Sequence, residues 1–242
     1  MGGVLMRDER IIVALDMHTM EDMKQMVTQL GDSVSFYKVG MELFYSVGID
    51  AITYLKQANK QVFLDLKLHD IPHTVAQSVR ALTRLGVDLV TVHGLGGRTM
   101  LSAAVEAAKQ EAEIKGVKRP KILAVTILTS MDTKDWQEIG GAFDVSQEVS
   151  CLASVARLAG VDGMISSPHE AKVVRQQYGS DFLIVTPGIR PAFSMSQDQK
   201  RIATPAQALR NGASYLVIGR PITAAINPQE AAEKIIEEIR EV

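Results

Sequence analysis

Asp65 and Lys67 stand two residues apart, directly after the apolar run Val62-Phe63-Leu64, and they are residue types from which proton-transfer chemistry is built. Side chains alternate faces along a strand, so this spacing predicts a carboxylate and an ammonium pointing into the same space. Taking two ions out of water costs several kcal/mol each before their attraction returns any of it, so packing alone would not select the pair. Asp70 and Thr74 follow, where the run gives way to Pro72 and a helix start. Lys38 closes an earlier apolar run and falls beside Asp65 if the two runs are neighbouring strands. The result is a row Lys38–Asp65–Lys67–Asp70. A lysine held between carboxylates stays protonated and can donate a proton to a substrate atom. The same row can also be read as an ion-pair network closing the mouth of a barrel, and the residues by themselves leave both readings open.

Other motifs divide into those that fail and those that persist. His69 and His73 are four apart, but Pro72 lies between them and no glutamate follows His69, so the helical zinc pattern is not met. His93-Gly-Leu-Gly-Gly97 has Thr99 where a dinucleotide fingerprint needs its last glycine, and its glycines are expected to give backbone room beside a ligand or to form a turn. Near the C-terminus, Thr186-Pro187-Gly188-Ile-Arg190-Pro and Gly219-Arg220-Pro-Ile-Thr each follow an apolar run. A glycine lets backbone N–H groups approach an anion, and an arginine grips two oxygens as a fork, so these two loops form a candidate phosphate site. Gly-Arg-Pro is equally an ordinary strand-to-helix turn with a solvated arginine. Between Pro191 and Thr204 the chain is polar and without period. It is expected to be a lid, with Gln199 as its best-placed contact to a phosphate or amide.

These residues need a scaffold that gathers them. Eight short β-branched runs are candidate strands: 11–15, 34–39, 62–64, 89–92, 122–127, 163–165, 182–185 and 215–218. Helical period separates several of them, as in Met23/Met26/Val27/Leu30, Ile49/Ile52/Leu55, Val75/Val79/Leu82 and Val149/Leu152/Ala156/Ala159. A last helix has Asn227 as cap, Pro228 at its first position and Ile235/Ile236/Ile239 on one face. Near-continuous apolar strands alternating with amphipathic helices predict a parallel sheet covered on its outside, and eight such units predict an α/β fold, a single (β/α)8 TIM barrel over residues 1–242. Asp16, Lys38, Asp65, His93, Thr129, Pro187 and Gly219 then all lie at or just past strand ends, the functional face of that fold.

Composition narrows the setting. The net charge of −2 has mixed signs throughout, so neither nucleic acid nor a membrane surface is an expected partner. The single cysteine, Cys151, excludes a disulfide framework, and no apolar run approaches a membrane span. The first ten residues lack a signal-peptide core, and Met6 stands where a myristoylation signal needs Ser or Thr. A soluble, cytoplasmic protein is expected.

Taken together, Asp65-x-Lys67-x-x-Asp70-Ile-Pro-x-Thr74, Leu15-Asp16, Tyr37-Lys38-Val-Gly40, Val125-Thr-Ile-Leu-Thr129-Ser130, Thr186-Pro187-Gly-Ile-Arg190-Pro, Gln199 and Ile218-Gly219-Arg220-Pro resemble the orotidine 5′-phosphate decarboxylase family, in order and over essentially the whole chain. The resemblance implies decarboxylation of orotidine 5′-monophosphate to UMP without metal or cofactor, with Lys67 protonating C6 and Asp65 against the departing carboxylate. It implies ribose contacts from Asp16 and Lys38, a pyrimidine contact from Thr129 or Ser130, a further substrate contact from Pro187, and phosphate contacts from Arg190, Gln199, Gly219 and Arg220. It further implies a homodimer in which Asp70 and Thr74 enter the neighbour's site. Two rivals are weighed. A 3-keto-gulonate-phosphate decarboxylase or hexulose-phosphate synthase resembles the same Asp-x-Lys-x-x-Asp core but uses Mg2+ and a glutamate near the end of strand two, where this chain has Lys38. A non-catalytic nucleotide-binding barrel would have no need of the charge row.

Overall fold

The computed structural model of the chain describes residues 7–168, 170–194 and 203–242. Eight strands, β1 (Ile11–Leu15), β2 (Phe36–Gly40), β3 (Gln61–Leu68), β4 (Leu89–His93), β5 (Lys121–Val125), β6 (Gly163–Ile165), β7 (Leu183–Thr186) and β8 (Tyr215–Ile218), pair in parallel in chain order and close between β8 and β1. The expected (β/α)8 barrel is the observed fold.

Alternation along each strand builds two separate cores. Ile12, Ala14, Phe36, Phe63, Leu89, Leu123, Val185 and Val217 fill the barrel interior. Their sequence neighbours, such as Ile11, Val13, Tyr37, Val39, Val62 and Leu64, face outward and pack under the helices. The covering helices follow the four expected stripes, Val149, Leu152, Ala156 and Ala159 among them, except that Ile49 is exposed. Helix α1 (Met20–Leu30) buries Met23, Met26, Val27 and Leu30 behind a Thr19 cap that accepts from the Asp22 N–H. Helices α2 (Met41–Val47) and α3 (Ile49–Gln57) follow β2, and α3 buries Ile52 and Leu55. Helix α4 (Pro72–Arg84) starts on Pro72 and buries Val75, Val79 and Leu82.

Helix α5 (Gly97–Lys115), the longest described element, was not among the expected helices. Its buried stripe is mostly alanine (Ala104, Ala107, Ala108, Ala112), which has little hydropathy contrast but permits close packing on α4. After α6 (Thr133–Glu138), α7 (Val145–Ala159), α8 (Ala171–Tyr178), α9 (Pro205–Arg210) and the short α10 (Arg220–Thr223), α11 (Pro228–Glu238) ends the fold with the expected Asn227 cap. No helix among the described residues is long and apolar enough to cross a membrane.

One device recurs at the strand starts. Asp88 accepts from the Val62 N–H at 3.0 Å and pairs with Lys56 at 2.9 Å. Asp162 accepts from the Ile122 N–H at 2.8 Å and from Arg119 Nη1 at 2.9 Å, with Lys121 at 3.2 Å. Ser214 accepts from the Ile184 N–H at 3.1 Å and from Arg175 at 2.8 Å. Each side chain satisfies a backbone donor of the preceding strand, so the gaps β3/β4, β5/β6 and β7/β8 are clamped at the end of the barrel opposite the candidate site.

Candidate active site

The inward positions change character toward the strand C-termini. Above Ala14 comes Asp16, above Phe36 comes Lys38, and above Phe63 comes Asp65. Lys38 and Asp65 border a cavity of about 180 Å³ whose floor is Phe63, Val125, Ile165 and Val217 and whose rim also carries Lys67, Thr129 and Pro187. An apolar floor under a charged rim suits a flat ring bound beneath a reacting bond.

The charge row forms as two pairs rather than one chain of four. Lys67 Nζ donates to both Asp65 oxygens at 3.0 Å, and Lys38 Nζ donates to Asp16 Oδ1 at 3.0 Å. The Lys38 side chain is 12% exposed and that of Asp16 54% exposed. Asp70 makes no ion pair among the described residues. Its carboxylate accepts from the adjacent Ile71 N–H, and both it and Thr74 are exposed on the protein surface. Within one chain the row therefore ends at Lys67, which corrects the expected placement of Asp70 alongside it.

The expected regular alternation also breaks. Between the paired positions Leu64↔Val90 and Leu68↔Val92, β3 has three residues where β4 has one. Lys67 lies in this bulge with φ +52°, a backbone region that disfavours a residue with a side chain. Asp65 and Lys67 meet through a detour of the backbone, not through strand period. The bulge also explains why β3 extends four residues past the apolar run: it keeps pairing beyond the charges.

The remaining positions continue around the rim. Gly219 adjoins Asp16, whose Oδ2 lies 3.7 Å from where its Cβ would be. Arg220 follows, and across on the β7 loop Arg190 is held below the usual guanidinium range by burial and by the positive charge of Arg220. Neither arginine pairs with a carboxylate among the described residues, and the two positive charges act on one another. The rim thus runs β3, β2, β1, β8, β7 through Asp65/Lys67, Lys38, Asp16, Gly219/Arg220 and Arg190. Ser130 is exposed and, unlike Thr129, does not line the cavity. Gln199 lies outside the described residues, as does most of the expected lid. The flanks of that loop are joined by Arg190 N–H to Ala203 O at 3.1 Å.

Three residues in this region were not singled out as site residues. Thr91, fully buried on β4, accepts from the Lys67 N–H at 2.8 Å and donates to Asp65 Oδ1 at 3.0 Å. His69 and His93 stack with centroids 5.1 Å apart. Burial, His69 and Lys67 push the His93 imidazole below its ordinary value of 6.5, and its Nδ1 accepts from the Leu95 N–H. A threonine at an inward position of the otherwise apolar Leu-Val-Thr-Val was the available signal for Thr91. The glycines after His93 make a turn: a Cβ on Gly94 would approach Val125 O to 2.9 Å, so packing accounts for it.

Comparison with known proteins gives the chain relatives over nearly its whole length. Residues 9–235 match the model of the orotidine 5′-phosphate decarboxylase / HUMPS family. The chain is 50% identical over 239 residues to orotidine 5′-phosphate decarboxylase of Geotalea uraniireducens, covering 98% of each chain. It is 48% identical over 235 residues to that of Moorella thermoacetica, covering 97% of this chain and 93% of the other. The crystal structure of orotidine 5′-phosphate decarboxylase from Lactobacillus acidophilus matches with a TM-score of 0.86 at 43% identity, over 96% of this chain and 99% of that one.

Proposed function

The chain belongs to the orotidine 5′-phosphate decarboxylase / HUMPS family, and from that premise we propose that it converts orotidine 5′-monophosphate to UMP and CO2, without metal or organic cofactor, as one cytoplasmic catalytic domain. The observation that carries the reading is the Lys67 ammonium held by both oxygens of Asp65 over an apolar-floored cavity. Breaking the C6–carboxyl bond leaves an electron pair on C6 with no carbonyl positioned to spread it. Lys67 then delivers a proton to C6 as CO2 departs, forming the C–H bond of UMP, and regains one from solvent. An ammonium fixed at that point attracts a localised carbanion more strongly than a delocalised carboxylate, which lowers the barrier rather than the ground state. Asp65, against the departing carboxylate, repels it.

The order of charges around the rim supports the remaining assignments. A nucleotide laid with its base over the cavity meets Thr129 and Pro187 at the ring, with Ser130 next along the chain. Lys38 and Asp16 meet its ribose, and Arg190, Gly219 and Arg220 its phosphate. Gln199 is the further phosphate contact we propose. Asp70 and Thr74 belong to a second copy's site in a homodimer, a reading supported by their exposure beside Ile71, which is 66% exposed. Two ammonium groups facing the cavity disfavour a divalent cation there, which supports the metal-free chemistry.

The test is loss of orotidine 5′-monophosphate absorbance in EDTA, for the natural chain and for Lys67→Ala. Turnover under chelation, abolished in a folded Lys67→Ala that still binds UMP, is the expected result. Activity that requires Mg2+ and a keto-sugar phosphate would replace the reading, and a fully active Lys67→Ala would remove the proton donor from it.

A further inference from the structure

We infer that Thr91 is a positioning residue for the decarboxylation, acting through both members of the Asp65–Lys67 pair, an inference that rests on the role of Lys67 given above. Thr91 does not line the cavity, and its contacts are with the pair rather than with the space above it. Its single hydroxyl occupies the centre of the bulge, and only one arrangement of its hydrogen is possible. The Lys67 N–H must donate, so Oγ1 accepts at 2.8 Å, and the carboxylate must accept, so the hydroxyl donates to Asp65 Oδ1 at 3.0 Å. One atom therefore fixes the backbone of the lysine and the side chain of the aspartate together.

The bulge explains why such a clamp is needed. β3 passes through two residues more than β4 between Leu64 and Leu68, so the Lys67 N–H is not part of a regular ladder. Lys67 is one of only two non-glycine residues with positive φ among those described. That conformation persists only where the surroundings over-determine it. Thr91 is 0% exposed, so no water can replace its hydroxyl without repacking β4. Releasing it frees the lysine backbone to relax, and it leaves Asp65 Oδ1 with Lys67 Nζ as its one remaining donor among the described residues.

The experiment compares Thr91→Val, which keeps the shape and removes the hydroxyl, with Thr91→Ser, which keeps the hydroxyl, and with Lys67→Ala. Hydrogen bonds to charged groups of this kind set the scale, so kcat of Thr91→Val should fall roughly ten- to a hundredfold, with KM staying within about threefold of the natural chain. Thr91→Ser should recover most of the lost kcat, although it has lost the buried methyl. A purely structural threonine would behave oppositely, with melting temperature and active fraction falling and serine offering no rescue. Natural kcat in Thr91→Val, or a kcat loss that serine does not restore, overturns the inference. Should Thr91→Val not fold, Thr91→Ser decides: near-natural kcat supports the hydroxyl, and a loss beyond about tenfold refutes it. If Lys67→Ala remains active, the role of Lys67 fails, and that outcome is distinguishable from failure at Thr91 alone.

Discussion

Gly40 ends β2 immediately above the Lys38–Asp16 pair, and replacing it by alanine separates function from stability. A Cβ at this position would lie 2.6 Å from Lys38 Nζ and 3.6 Å from Asp16 Oδ1. Ordinary contact begins near 3.4 Å, so the ammonium must retreat by at least about 0.8 Å. Its hydrogen bond to Asp16 is 3.0 Å long, and lengthening by that amount ends it. Misplacing a substrate-positioning group by about 1 Å can cost roughly a hundredfold in rate, so kcat/KM should fall between about ten- and a hundredfold, or ~1.4–2.7 kcal/mol of transition-state stabilisation. Stability should move the other way or not at all. Gly40 has φ −91° and ψ −176°, extended backbone that alanine adopts without strain. Gly-to-Ala changes at such sites stabilise by about 0.4–1 kcal/mol through the unfolded chain. The assay is steady-state decarboxylation beside a thermal melt. An unchanged kcat/KM, or a loss matched by a clear drop in melting temperature, refutes the reasoning.

Three further outcomes are expected. Arg220→Ala should raise KM for orotidine 5′-monophosphate by roughly ten- to a hundredfold while leaving the affinity for uridine, which has no phosphate, unchanged; an unaltered KM places the phosphate elsewhere. His93 has a folded pKa below its ordinary 6.5, so as pH drops below that value the unfolded chain takes up a proton the native chain refuses, and stability is lost. His93→Asn, which keeps an acceptor for the Leu95 N–H, should therefore show a shallower fall in melting temperature between about pH 6.5 and 5 than the natural chain, and parallel curves would count against the shift. Asp162→Ala, which strands Arg119, Lys121 and the Ile122 N–H at the far end of the barrel, should lower stability by about 2–4 kcal/mol in urea titrations while leaving kcat per folded molecule intact.

The barrel was legible because most of its strands are short runs buried on both faces, and eight of them recur between amphipathic stretches in a chain of this length. Charge at the ends of those runs made Asp16, Lys38, Asp65 and Lys67 stand out for a related reason: each is a type that packing does not select at an inward position. What escaped was geometry carried by weak signals. Helix α5 buries alanines, whose contrast with their neighbours is too small to read as a stripe. Thr91 sits in a β-branched run where threonine is also a normal strand former, so its inward hydroxyl is a weak mark beside a charge. The His69–His93 stack joins residues from two strand ends, which spacing within either segment cannot reveal. The break in β3 is invisible for the same reason, since only pairing with β4 defines it.

That break bears on how the charged pair is tolerated. In a regular strand, residues two apart rise about 6.6 Å and project in parallel, so a lysine would carry its ammonium past the aspartate and out of the mouth. With φ +52° at Lys67 the chain turns the side chain back, and the ammonium reaches both carboxylate oxygens at equal distance. The arrangement combines backbone strain with two ions withdrawn from water, both unfavourable to folding. Opposing terms are placed away from it: two filled cores below, and carboxylate or hydroxyl clamps on Val62, Ile122 and Ile184 at the strand starts. Because those clamps stand at the other end of the strands, they can be strengthened or weakened without moving the pair. The unfavourable terms can be relieved only at the site itself, through Lys67 or Asp65, and that is where a gain in stability should accompany a loss of rate.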